Sequence, residues 1–424
     1  MTDSPYLWRA LDGGPRLALA TLPSSECAAV SIYVPAGSRD EHDLPAGVAH
    51  FVEHMVFKGT SRRSAREISL EIESAGGQIN ACTTEDHTVY EGRGEAALLP
   101  VLLDVLADMV WHATFPAPEI ELEREVIGEE ITMYRESPSD HIGDLISEAL
   151  WLPDPLGNAI SGSLESIAAI DQKTLLAFRD RHYFREDVII AVAGPFDEAT
   201  VLAALRPHLP SGFRPAEVRP ALQIVKDPPR SLEESRDTEQ LQLALAWHAP
   251  GRDHPLRHAI RLLSLMLGET ASSRLFLSLR EERGLCYQIA SDVTFFDDTG
   301  AFEIVAGLDP DSREEALRCI SDEIADLMAN GPREGELNRA KRLAIGQSKL
   351  AFESTGSHAA WAGECLLDFG RIPSLQEWRQ EVCSVTEAQI ADAARLLFQA
   401  KIPSIAEIRP ADFQGFEGQM LNSN

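Results

Sequence analysis

The sequence predicts an α+β protein of two homologous domains, each an antiparallel sheet flanked by helices, and three observations lead there. Segments recur at close to half of the 424-residue length. Apolar Val30–Val34 runs into Pro35-Ala36-Gly37-Ser38-Arg39-Asp40 and a helical pattern, and 213 residues later Leu243–Trp247 runs into Ala249-Pro250-Gly251-Arg252-Asp253 and another. Ile170-Asp171-Gln172 opens a helix ending near Tyr183-Phe184, and 215 residues later Val385-Thr386-Glu387 opens one ending near Phe398. Strand-like runs such as Val188–Ala193 and Phe302–Ala306 alternate with long helical patterns such as Pro100–His112 and Pro118–Tyr134, the mixture expected of antiparallel sheets packed under helices on one side. So long a period marks a tandem duplication of domains and not a solenoid, and the chain exceeds what one core usually supports. The domains fall at residues 1–210 and 236–424, with a linker over 211–235 marked by the prolines of Pro207–Pro220 and Pro228-Pro229.

Composition narrows the function classes. Hydrophobic residues at 44% and charged residues at 25% are ordinary globular values. Lys plus Arg is 38 against Asp plus Glu 67, a net charge of −29, which repels nucleic acid and anionic membrane and favours cationic partners. The six cysteines, Cys27, Cys82, Cys286, Cys319, Cys365 and Cys383, form no C-x-x-C pair and suggest neither a thiolate metal site nor a disulfide scaffold. The start, MTDSPYLWRALDGG, lacks the basic and apolar regions of a signal peptide, and Asp104 and Asp108 interrupt the most apolar stretch, Leu98–Val110. A cytoplasmic location with no membrane partner is the expectation.

The chemistry is concentrated in His50-Phe51-Val52-Glu53-His54. On a helix, positions i and i+4 lie one above the other, so both imidazoles can aim at one ion while Glu53, at i+3, borders the same face. Neutral imidazoles and a carboxylate suit zinc, and three protein ligands would leave a fourth position open for water. A free carboxylate there could take that water's proton. The order H-x-x-E-H is the inverted form of the zincin motif. A third ligand is available in the acidic helical run Glu123-Arg124-Glu125-Val126-Ile127-Gly128-Glu129-Glu130-Ile131.

HFVEH, followed after 76 positions by the last glutamate of EREVIGEEI, resembles the inverzincin family that includes pitrilysin, insulysin and the mitochondrial processing peptidase. The resemblance implies a zinc-dependent metalloendopeptidase with one zinc per chain, His50, His54 and Glu130 as ligands and Glu53 as catalytic base. Glu123, two helical turns before Glu130, matches a second glutamate that supports the site, whereas Glu125 and Glu129 are solvated charges. Gly76-Gly77-Gln78-Ile79-Asn80-Ala81-Cys82-Thr83 resembles the family's glycine turn and edge strand. There Asn80, Ala81 and Thr83 would bind an extended peptide substrate by β-augmentation. Arg280 and Tyr287 in LREERGLCY resemble residues that reach the substrate and the tetrahedral intermediate.

At the duplication offset, Leu263, Met266 and Leu267 replace His50, Glu53 and His54, so the second domain carries no metal. His254 and His258 have i,i+4 spacing but Arg257 where a glutamate would be, and read as surface histidines. The resemblance covers essentially the whole chain. Short two-domain members resemble half of the long single-chain pitrilysins, a half-clamshell that dimerises around a cavity. It therefore implies a homodimer acting on peptides or unfolded segments. The alternative is the catalytic subunit of a heterodimer that processes one precursor beside a metal-free paralogue. Leu267-Gly268-Glu269-Thr270-Ala271-Ser272-Ser273 departs from the pattern, with one glycine where some partner subunits have a glycine-rich loop.

Overall fold

The structure, a computed structural model, describes residues 4–220, 222 and 230–411. Pro228-Pro229 of the expected linker lie outside the described residues. The strands are β1 (Tyr6–Ala10), β2 (Arg16–Thr21), β3 (Cys27–Val34), β4 (Gln78–Thr83), β5 (Thr88–Glu95), β6 (Ile189–Gly194), β7 (Ser231–Arg236), β8 (Leu241–Ala249), β9 (Cys286–Phe295), β10 (Gly300–Leu308) and β11 (Ser404–Pro410). The first five helices are α1 (Val48–Val56), α2 (Ala65–Glu73), α3 (Leu99–His112), α4 (Ala117–Glu136) and α5 (Pro138–Trp151).

Two compact units emerge, each with one sheet. The first sheet runs β1-β2-β6-β3-β5-β4 and the second β7-β11-β8-β10-β9. Apart from the extra β1, the second order repeats the first strand for strand. β6 and β11, which begin at residues 189 and 404, stand 215 apart, in agreement with the duplication.

Two features differ from the expected antiparallel sheets covered on one side. Each sheet is mixed, because β2 pairs with β6 and β7 with β11 in parallel. Hairpin logic sees only neighbours joined by short turns, whereas β2 and β6 are separated by most of a domain, and so long a connection permits a parallel pairing. The first sheet is also covered on both faces. One face packs Leu17, Leu19, Val30, Ile32, Ile190 and Val192 into a core with Phe51, Val52 and Met55 of α1. The alternate residues Ala18, Ala20, Ala29, Ala191 and Ala193 face the helix Thr355–Phe369 through its Ala359, Ala362 and Leu366. Small residues let that helix come close, and a Cβ on Gly363 would lie 2.2 Å from the Tyr33 ring. The apolar runs of β3 and β6 carry this signal, since strands buried on both faces are continuously hydrophobic.

That helix comes from the opposite half of the sequence. Unit 1 comprises described residues up to Thr132, then Asn158–Pro220 and Ser348–Trp378, and unit 2 takes Met133–Gly157, the described residues up to Gln347 and those from Arg379 onward. In unit 2 the covering helix is α5, whose Ile142, Leu145, Ile146 and Ala149 pack with Ala244, Ala246, Ala406 and Ile408. The two duplicated halves therefore exchange one helix each across the division expected at residues 211–235. No helix among the described residues is long and apolar enough to cross a membrane.

Candidate metal centre

Helix α1 is fixed before its functional side chains are considered. It begins at Gly47, whose φ of +93° is left-handed and where a Cβ would lie 2.6 Å from the Ser161 carbonyl oxygen. The buried Glu41 carboxylate accepts the N–H groups of Gly47 at 2.9 Å and Ala49 at 2.7 Å, satisfying donors that a helix start leaves without partners. Val48, Ala49, Phe51, Val52, Met55 and Val56 are buried, and full burial of a side chain such as Phe51 or Met55 contributes roughly 1.5–3 kcal/mol. His50, Glu53 and His54 are left partly exposed on the remaining face.

Helix α4 presents Glu130 to them. One nitrogen of His50, one of His54 and a carboxylate oxygen of Glu130 all lie within 4.8 Å of one another. The two Nε2 atoms are 3.2 Å apart, and Glu130 Oε2 stands 3.8 Å from His50 Nε2 and 3.7 Å from His54 Nε2. Two nitrogens on one tetrahedral zinc would be about 3.3 Å apart, given bonds of about 2.0–2.1 Å, so the residues present fit that ion. Burial first, and then neighbouring His54, lowers the His50 pKa to about 3. Its imidazole is thus neutral and keeps a lone pair at neutral pH. His50 Nδ1 is buried without a hydrogen-bond partner among the described residues, which leaves Nε2 as the ring's polar outlet.

Around these three candidate residues the chain supplies orientation. His54 Nδ1 donates to Glu123 Oε1 at 2.8 Å, a bond that selects the tautomer with its Nε2 lone pair free. The second oxygen of buried Glu123 pairs with Lys58. Burial pushes the Glu123 carboxyl up, but the bonds from His54 and Lys58 outweigh it and hold the pKa below its ordinary value. Glu53 is raised by burial, against which the Thr83 hydroxyl acts. Thr83 Oγ1 donates to Glu53 Oε2 at 2.5 Å. Glu125 and Glu129 are exposed.

Strand β4 borders this cluster and ends its sheet. Asn80, Ala81 and Thr83 pair with Glu91, Tyr90 and Thr88 of β5, and among the described residues no strand pairs with β4's other side. Arg280 and Tyr287 belong to unit 2. Arg280 lies in a π-helical turn, Phe276–Glu281, with its guanidinium 4.8 Å from the centre of the Phe276 ring and no ion pair among the described residues. Tyr287, on β9, is 59% exposed. His254 and His258 prove to be partly buried and not surface histidines, with His258 Nε2 2.7 Å from Glu381 Oε2. Sequence reasoning missed Glu41 and Lys58, because neither lies in a motif and both act through contacts that folding creates.

Comparisons with known proteins agree with this geometry. Residues 16–163 match the sequence model of insulinase (peptidase family M16), and residues 169–344 match that of the peptidase M16 inactive domain. An uncharacterized zinc protease of Mycobacterium tuberculosis is 34% identical over 395 residues, 92% of this chain and 90% of its own. The uncharacterized zinc protease YmxG of Bacillus subtilis is 31% identical over 388 residues, 91% and 94% of the two chains. Among solved structures, a protease from Helicobacter pylori has a TM-score of 0.90 at 23% identity, covering 96% of this chain and 100% of that one. A peptidase M16 inactive domain from Pseudomonas fluorescens reaches 0.88 at 22%, covering 97% and 99%. These two similarities speak to the fold, which they share almost end to end. Kinship at the level of the zinc proteases, sustained over nearly the whole chain, makes this protein a member of peptidase family M16 and a metallopeptidase.

Proposed function

We propose that this chain is a zinc endopeptidase that hydrolyses peptides or unfolded segments bound as an added strand along β4. One zinc per chain would be held by His50, His54 and Glu130. The convergence of their three ligand atoms beside a second, separately anchored carboxylate, that of Glu53, carries this reading. When bound, zinc supplies Lewis acidity and lowers the pKa of water to about 7. Glu53 takes the proton of the water whose oxygen bonds to the scissile carbonyl carbon, and returns it to the amine as the C–N bond breaks. The free side of β4 holds the substrate through main-chain hydrogen bonds, which tolerate many sequences, while the −29 charge favours basic side chains.

Arg280 and Tyr287 complete the site in this proposal by donating to the substrate and the tetrahedral intermediate from the partner subunit of a homodimer that encloses a chamber. Their presence on the same chain as the metal ligands favours a homodimer over a heterodimer with a metal-free paralogue. The location in this reading is cytoplasmic, which cell fractionation checks.

The experiment is metal analysis and peptide cleavage with the chain purified alone. One zinc per chain and loss of cleavage on chelation are expected. Glu130→Gln should lose zinc and Glu129→Gln should keep it. Glu53→Gln and Arg280→Ala, each nearly inactive, should regain activity when mixed under conditions of subunit exchange, because a hybrid dimer holds one intact site. Exchange without recovered activity would defeat the shared site, and activity that appears only with a second, different chain would favour the heterodimer.

A further inference from the structure

We propose that Thr83 is a positioning residue for the catalytic base, so that the strand receiving the peptide also fixes the group that activates its attacking water. This rests on the reading of Glu53 as that base. Thr83 is the last residue of β4 and only 7% exposed. Its position is set twice. It pairs with Thr88 across the hairpin, and the turn that follows is tied down by backbone bonds from Thr84 N–H to the His87 carbonyl at 2.8 Å, from Ser38 N–H to the Thr84 carbonyl at 3.1 Å and from Arg39 N–H to the Glu85 carbonyl at 2.9 Å. The hydroxyl therefore projects from a rigid place.

Glu53 sits on a different element. Its long side chain can adopt many rotamers, and confining such a chain costs conformational entropy. Thr83 is the one side chain among the described residues that hydrogen-bonds to it, and the 2.5 Å contact engages Oε2 alone. An ionised carboxylate only accepts, so the threonine proton points at Glu53. The other carboxylate oxygen stays available for a water's proton. The side chain of Thr83 is thereby committed to the base, and its backbone N–H acts on the same carboxylate.

The test replaces the hydroxyl in the full chain. Thr83→Val keeps the size and β-branching but cannot donate, and Thr83→Ser keeps the donor. Loss of a charge-assisted bond that orients a base should lower kcat about tenfold to hundredfold in Thr83→Val, with KM and bound zinc unchanged. Thr83→Ser should stay close to wild type. On a Glu53→Gln background, Thr83→Val should leave both the residual rate and the affinity for a fluorescent unfolded peptide unchanged. An unchanged kcat in Thr83→Val overturns the proposal, as does a loss confined to KM and peptide affinity, which would make Thr83 a substrate contact. Failure of serine to rescue would reduce it to packing. Should the valine variant fold poorly in thermal unfolding, Thr83→Ala provides the same comparison. If Glu53→Gln itself left turnover intact, the reading of Glu53 would fail, a result distinct from these.

Discussion

Helix α1 and its counterpart in unit 2, Arg257–Leu267, occupy the same place in a duplicated fold and do opposite things with one face. In α1 that face carries His50, Glu53 and His54 beside Glu130. In the counterpart Leu263, Met266 and Leu267 are 0%, 3% and 0% exposed and belong to the core. Both sheets keep the same strand order, so the architecture does not require the chemistry. A buried ion pair also persists. Glu336, 213 residues beyond Glu123, is 5% exposed and accepts from Arg274 Nε at 2.9 Å and Nη2 at 2.7 Å, much as Glu123 pairs with Lys58. A glutamate paired with a cation thus stands at this offset in both units, and a face of two histidines and a glutamate in one.

The comparison is broken most severely at Glu53, the proposed base. Glu53→Gln should keep zinc and fold while turnover falls on the order of a hundredfold or more; metal content and kcat measured on one preparation decide this. Next in size is the reverse graft. Leu263→His, Met266→Glu and Leu267→His should restore the motif without restoring the site, because Leu343 stands at the position of Glu130. No second zinc should bind beyond the one expected in unit 1, and unpartnered polar groups in the core should destabilise the protein by roughly 1–3 kcal/mol each. A second zinc per chain in this variant would show that the helix alone is sufficient.

A smaller effect is expected at Lys58. Lys58→Met frees the second oxygen of Glu123 and should weaken zinc binding about tenfold in a competition titration. Lys58→Arg should keep the affinity, since a guanidinium can make the same charge-assisted bond to the carboxylate. The smallest effect concerns His182, which is 4% exposed with neither ring nitrogen hydrogen-bonded among the described residues. At the 215-residue offset its place is taken by Leu397, 0% exposed. Burial, opposed by Asp40, lowers the His182 pKa from 6.5 to about 4. The unfolded chain then binds the extra proton between those values, so His182 supports the fold above pH 6.5 and this support is lost as pH falls through 4. His182→Leu should flatten the decline of stability across that window in denaturant titrations. An equally steep decline in the variant would assign it to other groups.

Much of the candidate site was legible in the sequence because its spacing is local. Two histidines at i and i+4 with a glutamate between them meet on any α-helix, whatever surrounds it, and α1 is helical over Val48–Val56. Strand runs, turn residues and the duplication offset are likewise written in periodicities of a few residues or in direct repetition, and β3, β6, β8 and β10 fall where these patterns place them. The choice of Glu130 among neighbouring glutamates came from family resemblance, and the convergence of its oxygen with the two imidazoles agrees with it.

Tertiary structure alone decided which distant groups meet. The contacts of Thr83 with Glu53 and of Lys58 with Glu123 join residues 30 and 65 positions apart, and the parallel pair β2–β6 joins segments separated by most of a domain. The exchange of α5 and Thr355–Phe369 between the units had no local signature either, since each helix is amphipathic in the ordinary way and its pattern says that one face is buried without saying against what. Local periodicity fixes the conformation of a segment and the face it must hide. The partner for that face follows from chain topology and the complementary surfaces left by the rest of the fold.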